Sequence, residues 1–136
     1  MTRVAVICGG VGAARFLRGL VQVVDPADIT AIVNVGDDLE LHSLSISPDI
    51  DTVIYTVAGA IDPERGWGLA HETWQAMDTL ERFGDRPWFN LGDRDLGTHL
   101  HRTRRLAEGA TLTEVTSEIA RGWGLGLTVL PATNDP

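Results

Sequence analysis

Gly9-Gly10-Val11-Gly12 lies between a short apolar run and a segment of helical periodicity. Glycines in that place let a phosphate approach the backbone, and a helix N-terminus adds free amides and partial positive charge. A diphosphate is the natural ligand; close packing of strand on helix is the plainer use of the same residues. The pattern is not a full dinucleotide fingerprint, because Arg15 holds the third glycine position, and no Gly-Lys-Ser/Thr follows to make a P-loop. Asp37 and Asp38, in Asn34-Val35-Gly36-Asp37-Asp38, could take a ribose hydroxyl or a hard divalent cation, or could simply form an exposed acidic turn. Pro48-Asp49-Ile50-Asp51-Thr52 sets two carboxylates two residues apart. In an extended segment both face one side, within reach of one cation or polar substrate; helix capping by Asp51 is the alternative. Leu91-Gly92-Asp93-Arg94-Asp95, followed by Thr98 and His99, gathers acid, base and hydroxyl at one helix start, where Asp93 as a cap with Arg94 as its surface partner is equally open. His42, His71, His99 and His101 lack the spacing of a zinc motif. Trp67, Trp74, Trp88 and Trp123 read as core, except that Trp67, between Gly66 and Gly68, is placed to stack on a flat ring.

These residues need a scaffold, and the apolar pattern supplies one. Residues 3–8 and Ile29 to Asn34 are short β-rich runs of the kind buried in a parallel sheet, and a helix from Ala13 joins them into a βαβ unit. Both phosphate and acidic motifs therefore fall at the carboxyl edge of the sheet, where α/β proteins bind ligands. Residues 35–49 read as a long loop, and residues 51–59 as a strand or, in preference, a short helix. Helices follow over 70–83 and from about Asp93 to Gly109, the latter with Leu96, Leu100, Thr103 and Leu106 on one side. Thr111-Leu112-Thr113-Glu114 matches a capping box that opens a helix to about Trp123, and Leu127 to Leu130 reads as a third core strand. The fold class is thus α/β, a Rossmann-like three-layer αβα arrangement with a mainly parallel sheet, incomplete at the C-terminus.

Composition narrows the function. The 136 residues suit one domain, and 43% hydrophobic content is too rich for disorder. A net charge of −8 argues against nucleic acid or an anionic membrane surface, and leaves small molecules as the expected partners. All eleven basic residues are Arg, whose planar fork suits phosphate or carboxylate, although codon bias accounts for the same fact. One cysteine, Cys8, permits no internal disulfide and fits a reducing cytoplasm.

Taken in order, Gly9 to Arg15, Asn34 to Asp38, Ser47 to Thr52, Leu91 to His99 and Leu130 to Asp135 resemble the 2-phospho-L-lactate transferase family over nearly the whole chain. Trp67 and the region of Phe16 are closest to the phosphoenolpyruvate-using branch. The resemblance implies transfer of a phosphoenolpyruvyl or 2-phospho-L-lactyl group from a GDP-linked donor to the deazaflavin Fo, with release of GMP and help from Mg²⁺, in coenzyme F-420 biosynthesis. It further implies that Gly10 and Gly12 hold donor phosphates, that Asp51 contacts Fo, and that Asp49 with Asp51 or Asp38 supplies the cation ligands. Asp49 and Asp51 are the catalytic candidates, and Asn90 and Arg94 complete the binding set. Asn90 stands where some members place a basic Fo contact, and Ala13 replaces a glycine common in the loop. Family members are longer, so residues 1–136 are expected to be the N-terminal part of one transferase domain, inactive alone and homodimeric at full length. The alternative is a non-enzymatic nucleotide- or nucleotide-sugar-binding regulator of the related glycine-loop family. A nicotinamide oxidoreductase is disfavoured because Asn34 stands where the ribose-binding acid should end the second strand.

Overall fold

A computed structural model describes residues 2–85 and 89–136. Trp88, expected in the core, lies outside the described residues. The apolar runs form β1 (Val4–Cys8) and β2 (Ile29–Val33), linked by α1 (Val11–Leu20), and β5 (Thr128–Pro131) completes a parallel sheet in the order β1-β2-β5. The register pairs Val6 with Ala31 and Ala31 with Val129. Side chains alternate across a strand, and the face bearing Cys8, Ile29, Ala31, Val33 and Val129 is buried beneath helices. Those helices are α1, α2 (Pro48–Val57) and α5 (Leu112–Gly122), which contribute Leu17, Ile54 and Ile119 to the same core. The opposite face carries Ala5 and Ile7, the latter 86% exposed.

Residues 35–49 contain more order than a loop. Leu39–Leu41 (β3) and Leu44–Ile46 (β4) pair antiparallel about His42 and Ser43, whose φ values of 53° and 61° are those of a mirror-image hairpin turn. Asn-Gly usually marks such a turn, and His-Ser conceals it. Ile46 then joins Met77 and Leu91 in a second, smaller core.

The next two helices, α3 (Gln75–Arg82) and α4 (Asp93–Ala107), cap each other. Asp93 does not cap its own helix: its carboxylate accepts from the amides of Gln75 and Ala76 at 3.0 Å and from Thr73 Oγ1 at 2.6 Å. Glu72 returns the contact, accepting from the amides of Arg94 at 2.7 Å and Asp95 at 3.0 Å. The start of α3 is therefore set by Asp93, five residues later than the apolar spacing predicts. A Cβ at position 92 would lie 2.1 Å from the Glu72 side chain, so any larger residue there would force Glu72 to shift from this position.

Helix α4 also departs from its apolar reading. Leu100 is 57% exposed, whereas His99 and Arg102 are buried, because the helix turns a polar stripe toward α2. The capping box of α5 forms as the sequence predicts, with Thr111 accepting from the amide of Glu114 at 3.2 Å and Glu114 from that of Thr111 at 3.3 Å. Thr111→Ala should lower stability by about 1 kcal/mol, read as a fall in the urea midpoint at constant slope; an unchanged midpoint would mean that water replaces the cap.

Candidate functional site

Helix geometry decides which carboxylates meet. Pro48 opens α2 at a position where its missing amide hydrogen costs nothing. The segment is thus helical, not extended, and residues two apart point about 200° away from each other around the axis. Asp49 and Asp51 do not share a side. Asp49 turns to the glycine loop: its Oδ2 accepts from Asn34 Nδ2 at 2.9 Å, and its Oδ1 lies 3.0 Å from where a Gly10 Cβ would stand. Asp51 turns inward against α4.

There Asp51 is ion-paired with the guanidinium of Arg102, a side chain with no solvent exposure. Arg102 Nη1 also donates to the carbonyl of Ser45 at 3.2 Å and lies 3.3 Å from His99 Nδ1. His99 Nε2 lies 3.0 Å from Asp95 Oδ2. Tyr55, one turn beyond Asp51 on α2, hydrogen-bonds through its hydroxyl to Asp95 Oδ1 and, at 2.7 Å, to Thr98. Asp51, Asp95 and His99 each offer a ligand atom within 4.8 Å of the others. The oxygen Asp51 Oδ2 is buried without a hydrogen-bond partner among the described residues.

Electrostatics follow from burial. It pushes the Asp51 carboxyl up from its ordinary value, against the pull of Arg102. Burial pushes Asp95 up as well, but the hydrogen bonds from His99 and Tyr55 outweigh it and hold that carboxyl low. The Tyr55 hydroxyl is driven far up by burial and by the neighbouring Asp51 and Asp95 charges, so it stays protonated. Asp38 is pushed up to about 6, chiefly by burial, with the Asp51 and Asp49 charges adding to it and the Ser47 hydrogen bond and Arg102 opposing. Its Oδ2 accepts from Ser47 Oγ at 2.8 Å and its Oδ1 is buried without a partner among the described residues.

A pH dependence follows. Between about pH 4 and 6 the folded chain holds a proton on Asp38 that the unfolded chain has released, so this group's contribution to stability is lost as pH rises through that window. Asp38→Asn should flatten the corresponding slope in urea titrations; an unchanged slope would exclude Asp38 as its source.

The polar stripe walls a cavity of about 220 Å³ lined by Tyr55, Trp67, Phe89, Asp51, Asp95 and His99, with Ile46, Pro48, Thr52 and Gly68. Trp67 and Phe89 face each other with ring centroids 5.5 Å apart, and Trp67 remains 39% exposed. The Arg65 guanidinium also sits over the Trp67 ring, 5.0 Å from its centroid. Asn90 is exposed and outside this lining, and Arg94 is exposed with Nη1 donating to the carbonyl of Ala70 at 2.6 Å. Gly10 and Gly12 occupy the start of α1, which no side chain caps among the described residues. Tyr55, Phe89 and Arg102 were not singled out from the sequence, and Ser47 only as the first residue of its motif. Their signal is the spacing of Asp51 and Tyr55 on α2 and of Asp95, His99 and Arg102 on α4, each set on one face of its helix.

A glycine turn after β1 and acidic residues at the carboxyl edge of a parallel sheet define a Rossmann-like α/β protein. The chain belongs to the family described as 2-phospho-L-lactate transferase CofD, matched over residues 4–136. It is 50% identical over 134 residues to a phosphoenolpyruvate transferase of Nocardia farcinica, covering 98% of this chain and 40% of that protein. A phosphoenolpyruvate transferase of Mycobacterium ulcerans is 48% identical, with 98% of this chain and 44% of the relative covered. The chain therefore spans about two fifths of the length of these relatives. Among solved structures, a member of the UPF0052 family from Bacillus halodurans superposes with a TM-score of 0.57 at 24% identity, covering 98% of this chain and 41% of that one, a likeness of fold. Among the described residues no helix is long and apolar enough to cross a membrane.

Proposed function

We propose that this chain carries the acceptor pocket and donor-phosphate loop of a transferase that moves a phosphoenolpyruvyl or 2-phospho-L-lactyl group from a GDP-linked donor to the terminal ribitol hydroxyl of Fo, releasing GMP, in coenzyme F-420 biosynthesis. The observation that carries this reading is the aromatic cavity with a carboxylate in its wall: Trp67, Phe89 and Tyr55 suit a flat deazaflavin ring, and Asp51 Oδ2 offers an acceptor to a hydroxyl. The bond formed joins the Fo oxygen to the phosphorus bearing the three-carbon group. The bond broken is that from the same phosphorus to GMP, which leaves with the electron pair. Asp51 orients the hydroxyl and receives its proton, a role suited to a carboxylate whose proton affinity burial has raised. Gly10 and Gly12, at the open end of α1, orient the donor phosphates through the backbone.

Mg²⁺ prefers oxygen ligands. Asp38 fits that preference, with a buried oxygen lacking a partner among the described residues and with the charges of Asp49 and Asp51 acting on it, and Asp49 fits beside the glycine loop. Asp38 and Asp49 would hold the ion, which would supply charge neutralisation of the donor diphosphate. Asp51, earlier grouped with them, is engaged by Arg102 and serves the hydroxyl instead. Fluorescence titration of the chain with Fo, with and without GDP and Mg²⁺, tests the reading. Saturable binding is expected, and a folded chain that binds GDP but not Fo would remove the acceptor site from this segment.

A further inference from the structure

The triangle of Asp51, Asp95 and His99 has the span of a metal site, yet its hydrogen bonds are already assigned by the chemistry of its neighbours. A guanidinium donates and cannot accept. Arg102 Nη1 lies 3.3 Å from His99 Nδ1, so Nδ1 must present its lone pair. The alternative is a proton on Nδ1 directed at Asp51 Oδ2, which lies 3.8 Å away, beyond hydrogen-bond reach. With Nδ1 as acceptor, the ring's proton sits on Nε2 and is given to Asp95 Oδ2 at 3.0 Å. Neither ring nitrogen is left for a cation, and Arg102, pinned also by the Ser45 carbonyl and by Asp51, already supplies the positive charge that the carboxylates need. Two atoms of the cluster stay open among the described residues, Arg102 Nε and Asp51 Oδ2, and the second is an acceptor on a side chain that lines the aromatic cavity.

We propose that Arg102 is a positioning residue that locks His99 as the neutral Nε2–H tautomer, so that Asp51, Asp95 and His99 form a hydrogen-bonded wall presenting Asp51 Oδ2 to a hydroxyl or N–H of the pocket's ligand, and not a metal-binding triangle. The ligand's identity rests on the transferase reading above; the tautomer and the exclusion of metal do not. Two further groups complete the lock. The Tyr55 hydroxyl donates a hydrogen bond to Asp95 and is held by Thr98, so Asp95 has acceptor bonds on both oxygens before any cation arrives.

The test is a long-range ¹H–¹⁵N correlation spectrum of the ¹⁵N-labelled chain, recorded with and without saturating Zn²⁺, a d¹⁰ ion that imidazole suits and that leaves the spectrum sharp. The expected spectrum shows a protonated Nε2 and a bare Nδ1 for His99, unmoved by Zn²⁺. In Arg102→Met the two ring nitrogens should shift toward each other as both tautomers become populated, a change that a purely structural role of the arginine would not produce. A proton on Nδ1 in the unsubstituted chain, a coordination shift of either His99 nitrogen with Zn²⁺, or an unaltered tautomer in folded Arg102→Met would overturn the proposal. Should Arg102→Met fail to fold, the unsubstituted chain with and without Zn²⁺ still decides it. Fo titration of the same sample separates this outcome from the acceptor reading, because the tautomer is assigned without ligand.

Discussion

Arg102→Met is expected to lower the stability of the chain by about 3–5 kcal/mol, the loss typical when one partner of a buried ion pair is removed. The size follows from what is stranded. Arg102 has no solvent exposure, and its guanidinium holds Asp51, the Ser45 carbonyl and His99 at once. Methionine fills much of the volume and satisfies none of them, leaving a carboxylate in the interior without a counter-charge. Since a typical domain is stable by only about 5–15 kcal/mol, the urea midpoint should fall by a large fraction of its value. Combining Arg102→Met with Asp51→Asn should recover part of the loss, because the neutral amide needs no cation, and the double-mutant cycle measures the coupling. A loss below about 1 kcal/mol would place the pair in the class of solvated surface bridges.

That Arg102 matters so much could not be read from the local sequence. In His99-Leu100-His101-Arg102-Thr103-Arg104-Arg105 the leucine draws the eye to one face, and a row of arginines looks like a solvated one. What reverses the orientation is Asp51, 51 positions earlier, whose partner can come only from another element. The same holds for Asp93 and Glu72, which cap each other's helices across a loop, and for the His42-Ser43 hairpin, whose turn residues carry little local signal. By contrast β1, the glycine turn, β2, α5 and β5 were legible because each is specified within a few residues: a β-branched run, a break, a helical period or a capping box. The gathering of acids at the carboxyl edge was likewise legible, since it depends only on where β1 and β2 end. Which acid faces which neighbour was not, because reading Pro48 to Thr52 as extended or helical moves Asp49 and Asp51 from one side to opposite ones.

Asp51→Asn should weaken Fo binding about 10-fold or more, the effect of losing a hydrogen bond to a charged group. Asparagine preserves the shape of the cavity wall but can turn its NH₂ toward the ligand hydroxyl, and its oxygen is a weaker acceptor than a carboxylate. Because the same change unbalances Arg102, some fall in stability is expected, and affinity must be taken on chain shown to be folded at the assay temperature. Trp67→Ala supplies the comparison: the side chain lines the cavity, packs against Phe89 and carries the Arg65 guanidinium 5.0 Å over its ring, so some fall in stability is expected here too and affinity is again taken on folded chain. Loss of its face from the ring should still cost about 1–3 kcal/mol of binding, the range for an aromatic stacked on a heterocycle. On the proposed reading the two substitutions act on opposite ends of the ligand, so Trp67→Ala should weaken lumichrome, a flat tricyclic ring without the ribityl chain, while Asp51→Asn should affect only Fo. If Asp51→Asn weakens both equally, Asp51 touches the ring and the hydroxyl must be held elsewhere; if it weakens neither, the carboxylate serves Arg102 alone.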